Sequence, residues 1–188
     1  MRVSSVIPKI FHKSDGGLLE NCIMCNRCVT RPAQDYFIEK AFRFIPSIKK
    51  REVIFEYAMC IPCAEAMRNE LSTESKSRIE LYFKQNVNFE NRSSLLQPKR
   101  APFSKWINKC LIKNEDLFKS SEYSIYGHAY GKRLVYGLFP YAISGAVMEE
   151  VNELISEKTR EVLDDFIGNH FSGPPEVAEI LKRRPVLV

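Results

Sequence analysis

The chain has 188 residues, 45% hydrophobic and 27% charged, with six cysteines and a net charge of +5. That composition suits one globular domain or two small ones, and excludes low-complexity and fibrous classes. No apolar run approaches the roughly 18 residues needed to cross a bilayer. The first fifteen residues, broken by Arg2, Pro8, Lys9, His12 and Lys13, lack the apolar stretch of a signal peptide, so the expected compartment is the cytoplasm, with no membrane partner.

The charge is uneven. Residues 1–105 carry 18 Lys and Arg against 11 Asp and Glu, whereas residues 106–188 are slightly acidic. A basic half is compatible with nucleic acid or another acidic partner, because clustered cations release counterions from phosphates. An excess this modest is equally the mark of a solvated surface.

In chain order, Cys22-Ile-Met-Cys25-Asn26 comes first as a short knuckle. Tyr36 to Glu39 and Val53 to Tyr57 alternate as two strands around Pro46 and the basic run Lys49-Lys50-Arg51, which predicts a hairpin with a charged connection. Cys60-Ile-Pro-Cys63 then opens a helix from Ala64 to Leu71, and a second helix starts at the capping hydroxyls Ser72 and Thr73 and runs to Lys84. Residues 86–105, with Pro98, Pro102 and several Asn and Ser, have linker composition, placing a boundary near Pro98.

Beyond it, Tyr123 to Tyr126 and Arg133 to Phe139 read as a second strand pair, with His128 in an aromatic, glycine-rich hairpin tip. Ser144 to Phe166 reads as mostly helical, with Val147, Val151, Leu154, Leu163 and Phe166 on its apolar face. After Ser172-Gly-Pro-Pro, one short C-terminal helix and the tail Val186 to Val188 complete the chain.

The two halves align. Cys22-Ile-Met-Cys25-Asn26 lies over Cys110-Leu-Ile-Lys113-Asn114, Tyr57-Ala-Met-Cys60 over Tyr141-Ala-Ile-Ser144, Ser72 over Ser156 and Ser75 over Thr159. The expectation is an α+β protein in which residues 1–97 form a metal-stapled half. Residues 98–188 would form a degenerate repeat, with Cys110, Lys113, Ser144 and Val147 at the ligand positions.

Structural zinc is commonly held by two Cys-x-x-Cys pairs, and Cys22/Cys25 with Cys60/Cys63 have that form. The order of knuckle, hairpin and ligand-bearing helix start resembles the treble-clef zinc-finger group over about residues 20–84. The resemblance implies one structural Zn2+ per chain and transfers no function, since that fold group serves many.

Cys28 introduces an alternative, because Cys25-Asn-Arg-Cys28 is also a Cys-x-x-Cys pair. Cys22, Cys25 and Cys28 together match the front of an iron–sulfur run, but the fourth cysteine expected nearby is missing. Cys60/Cys63 at a helix start also has the form of a thiol–disulfide redox pair.

The three histidines are scattered, and none sits in a nucleophile motif. The expected function is therefore a non-catalytic protein-interaction module. The alternatives are nucleic-acid binding through Arg43, Lys49, Lys50 and Arg51, interleaved with Tyr36, Phe37, Phe42, Phe44, Phe55 and Tyr57, and thiol–disulfide redox chemistry through Cys60 and Cys63.

Overall fold

A computed structural model describes residues 3–97 and 99–171. The boundary at Pro98, the expected C-terminal helix and the apolar tail lie outside the described residues. Those described form a mixed α+β fold around one antiparallel sheet.

The sheet contains β1 (Ser4–Val6), β2 (Asp35–Ile45), β3 (Lys50–Cys60), β4 (Glu122–Tyr130), β5 (Arg133–Val135) and β6 (Tyr141–Ser144). Its order is β1-β5-β4-β2-β3, with β6 beside the beginning of β4. The central contact is β2 against β4, which pairs Asp35 with Tyr130 through to Arg43 with Glu122.

β2 and β3 are longer than the two strands expected from alternation. β2 is paired on both edges and buried on both faces: Tyr36 and Ile38 point one way and Glu39 and Ala41 the other, and all four are buried. Pairing with β3, shifted once between Ala41 and Phe42, carries the ladder to Ile45, and the missing N–H of Pro46 falls in the turn.

β4 corrects the second hairpin. It runs through Gly127 and His128 without a break, so His128 lies within a strand rather than at a tip. Gly127 is tolerated there because a Cβ would stand 3.1 Å from Phe11 and from Leu134, which pack against that face. The turn comes at Gly131, with φ of 55°. The strand expected to reach Phe139 ends at Val135, and Tyr141–Ser144 supplies the strand that leads into the next helix.

Six α-helices complete the described fold: α1 (Ile61–Glu70), α2 (Thr73–Asn86), α3 (Phe89–Ser94), α4 (Ser104–Ile107), α5 (Gly145–Leu154) and α6 (Glu157–His170). α3 and α4 occupy the expected linker, α3 beginning where the Asn88 side chain accepts from Asn91 N. The helical run from Ser144 to Phe166 is divided at Ser156, whose hydroxyl caps α6 by accepting from Thr159 N. Ser72 caps α2 in the same way through Ser75 N. Thus β3 leads into helices of 10 and 14 residues, and β6 leads into helices of the same lengths.

The core carries charged residues along the middle of the sheet. Glu39 is 1% exposed, accepts a 2.5 Å hydrogen bond from the Tyr57 hydroxyl and sits opposite Tyr126. Burial and this carboxylate together push the Tyr57 hydroxyl far above its ordinary value. Lys40, also buried, donates to the His12 carbonyl and pairs with Glu56, both at 2.6 Å.

Candidate metal centre

The knuckle is shaped by its own backbone. Cys22 N donates to Arg27 O and Asn26 N to Cys22 O, both at 2.9 Å, while Asn26 takes the left-handed conformation that asparagine tolerates (φ 57°). Ile23 N then donates to Ala58 O at 2.8 Å, hooking the knuckle onto the end of β3. Cys60 is the last residue of β3 and the N-cap of α1, and Cys63 lies in the first turn of that helix. Pro62 lies in the first turn of the helix, where no amide partner is needed.

These constraints bring Cys22, Cys25, Cys60 and Cys63 together, with all four Sγ atoms within 4.8 Å of one another. A tetrahedral ion about 2.3 Å from each sulfur requires S···S edges of about 3.8 Å, and Cys25 Sγ and Cys60 Sγ are 3.8 Å apart. The cluster can therefore hold a metal ion. Cys28 lies outside it, its thiol paired with the Thr30 hydroxyl at 3.5 Å.

The four thiols differ in environment. Cys22 and Cys60 are buried, Cys63 half-buried and Cys25 exposed. Burial pushes Cys25 up, but hydrogen bonds with the Arg27 backbone and with the neighbouring thiols outweigh it and bring the group to about 6. Burial raises Cys60 and Cys63, and Cys63 is raised further by hydrogen bonds with Cys60 and Cys25. Arg27 Nε donates to Cys25 Sγ at 3.2 Å, an interaction the cysteine spacing did not reveal. A cation two residues beyond the second cysteine is the only sequence signal for it.

No protein-family model, curated protein or solved structure matches the chain. The functional reading rests on the geometry.

In the second half, Cys110 N donates to Glu115 O at 2.9 Å, Asn114 N to Cys110 O at 3.0 Å and Leu111 N to Ala142 O at 2.8 Å; Asn114 has φ of 53°. Ser144 N lies 3.5 Å from Cys110 Sγ, as Cys60 N lies 3.4 Å from Cys22 Sγ. Lys113, on this knuckle, forms an ion pair with Glu150 on α5, and Glu150 also accepts from the Tyr82 hydroxyl of α2 at 2.5 Å.

The basic residues of the β2–β3 hairpin have different surroundings. Arg43 is paired with Glu52. Arg51 lies over the rings of Phe44, Phe118 and Tyr123 and donates to the carbonyls of Leu117, Phe118 and Ser120. Lys49 and Lys50 are exposed at the turn. His12 bonds the Ile7 carbonyl, His128 the Asp35 carboxylate at 2.6 Å, and His170 lies against the Phe166 ring at a tilt; none joins the cysteine cluster. Among the described residues, no helix is long and apolar enough to cross a membrane.

Proposed function

We propose that this chain is a non-catalytic protein-interaction module stapled by one structural Zn2+ on Cys22, Cys25, Cys60 and Cys63. The observation that carries the proposal is the convergence of the four Sγ atoms within 4.8 Å. Four thiolates on a tetrahedral ion leave no open coordination position, which suits a structural role and not a catalytic one. Knuckle, hairpin and ligand-bearing helix start follow the treble-clef order, and a four-sulfur donor set favours zinc over harder ions.

Residues 98–188 are read as a metal-free copy of residues 1–97. Support comes from the two knuckles, which share their hydrogen bonds and an asparagine with φ of 57° in one and 53° in the other. The matched helix lengths and the capping serines Ser72 and Ser156 add to it. The two copies share the sheet through β2 and β4.

A protein partner is favoured over nucleic acid at the β2–β3 end. Ile48 (58%) and Phe118 (72%) are exposed there, whereas the Arg43 and Arg51 guanidiniums are already engaged within the chain. Metal content per chain on protein purified without added metal tests the core of the reading. One zinc and no visible colour are expected; iron with charge-transfer absorption, or a Cys60–Cys63 disulfide and no metal, would replace it with electron transfer or thiol exchange.

A further inference from the structure

Beside the knuckle lies a cleft of about 580 Å³ lined by Asn21, Asn26, Arg27, Cys28, Arg31 and Gln34. Its lining is mostly polar and contains no carboxylate. Arg27 spends only Nε on Cys25, leaving both terminal nitrogens of its fork. Arg27 and Arg31 are not among the cations that form the ion pairs of the described residues. The Cys28 thiol is held below its ordinary value by hydrogen bonds with the Thr30 hydroxyl and backbone, and then by the charge of Arg31.

The shape of the knuckle does not dictate this charge. The bridge Asn21↔Cys28 has its counterpart in Lys109↔Asp116. Yet the cleft beside the second knuckle is lined by Glu115, Asp116, Glu122 and Glu149, with Lys119 as its one cation. The same backbone frame carries two guanidiniums in one half and mostly carboxylates in the other.

We propose that the Arg27/Arg31 cleft binds a phosphate group. Two guanidinium forks and three side-chain amides offer more donors than the two oxygens of a carboxylate can accept, and they match the charge and the several acceptor oxygens of a phosphate. The cleft goes beyond the metal reading, since none of its lining side chains belongs to the four-sulfur cluster.

The test is a titration of the metal-loaded full chain with inorganic phosphate, followed by backbone amide NMR, with acetate at matched ionic strength as the comparison. Saturable shifts confined to residues 21–34, with phosphate clearly stronger than acetate, are expected. Phosphate should also slow alkylation of Cys28 by iodoacetamide. Arg31→Gln should weaken phosphate binding about tenfold or more, and Arg31→Lys, which keeps the charge but loses the fork, should fall between the two. Phosphoserine and adenosine monophosphate as further probes distinguish a phosphorylated side chain from a nucleotide as the source. No saturable shift, an equal response to acetate, or unchanged binding by Arg31→Gln overturns the proposal. Metal content measured on each sample keeps this outcome separate from that of the zinc site: failure to bind phosphate with the metal in place sinks only the cleft.

Discussion

Ser72 Oγ and Ser156 Oγ lie 2.8 Å apart, each capping a 14-residue helix. Around them the exchange is reciprocal: Ser156 N donates to Ser75 Oγ at 2.8 Å, and Ser72 N donates to Thr159 Oγ1 at 3.0 Å. The third residue of each cap thus serves the other half's backbone, and both Ser75 and Thr159 are fully buried. Four short side chains join α2 to α6 through hydrogen bonds.

Removing one of these hydroxyls strands a half-buried backbone donor. Ser75→Ala should cost about 1–3 kcal/mol by leaving the Ser156 amide unpaired, and Thr159→Val should cost a similar amount through the Ser72 amide. Thr159→Ser keeps the acceptor and should lose much less. Urea unfolding midpoints decide this; equal losses for Thr159→Val and Thr159→Ser would assign the effect to packing instead of the hydrogen bond.

The metal cluster makes a sharper division among the cysteines. Cys22→Ser, Cys25→Ser, Cys60→Ser and Cys63→Ser should each abolish stoichiometric zinc and lower the melting temperature, because metal binding free energy is coupled to folding. Cys28→Ser should keep full metal content, since that thiol bonds Thr30 and lies outside the cluster. A chelator should destabilise the parent chain and Cys28→Ser alike and leave the four ligand variants nearly unchanged. Loss of metal from Cys28→Ser would move the first ligand pair to Cys25/Cys28.

Much of this site is legible in the sequence because Cys-x-x-Cys spacing places both sulfurs of a pair on one side of a turn, whatever surrounds them. The hairpin between the pairs is legible too, from the alternation around Tyr36 and Tyr57. The extent of the strands is not: β2 runs well past Glu39 with β4, distant in sequence, covering its other edge as far as Arg43, and β3 alone pairs the last two residues to Ile45. His128 reads as a turn residue because glycines flank its segment, whereas Gly127 is there to admit Phe11. The division of the last helical run at Ser156 was visible in outline, as the match of Ser156 to Ser72. A propensity sum over Ser144 to Phe166 misses it because nothing in the run other than the cap breaks the helix.

The pair Lys40–Glu56 predicts a pH dependence. Burial alone would raise the Glu56 carboxyl, but hydrogen bonds from the Lys40 ammonium, the Ser14 amide and the Ser14 hydroxyl hold it below its ordinary value of 4.5. A carboxyl depressed in the folded state contributes stability that is fully present above its unfolded value and is lost as pH falls through the folded one. Comparing the parent with Glu56→Gln isolates this group from the thiols. Near neutrality the variant should be less stable by about 3 kcal/mol, because Lys40 is left charged and buried with only the His12 carbonyl. Below pH 4.5 the gap should narrow. A gap that stays constant with pH would mean that Glu56 acts through packing.

The last prediction takes the second knuckle as a metal-free copy of the first. Its four corner positions are Cys110, Lys113, Ser144 and Val147, and in place of a metal the Lys113–Glu150 ion pair ties the knuckle to α5. An ion bound to a knuckle and a helix start would link the same two elements, far more strongly than this exposed pair does. If the backbone frames are equivalent, the triple variant Lys113→Cys, Ser144→Cys, Val147→Cys supplies a second four-sulfur cluster on a frame whose Ser144 N already lies 3.5 Å from Cys110 Sγ. The expected outcome is two zinc ions per chain by elemental analysis, against one in the parent. Lys113→Ala alone should cost little, since the pair is about 40% exposed on both sides (37% and 42%) and exposed pairs contribute at most about 1 kcal/mol. A folded triple variant that still holds a single zinc would show that the two knuckles agree in their hydrogen bonds but not in the placement of their side chains, and the duplication reading would lose its chief support.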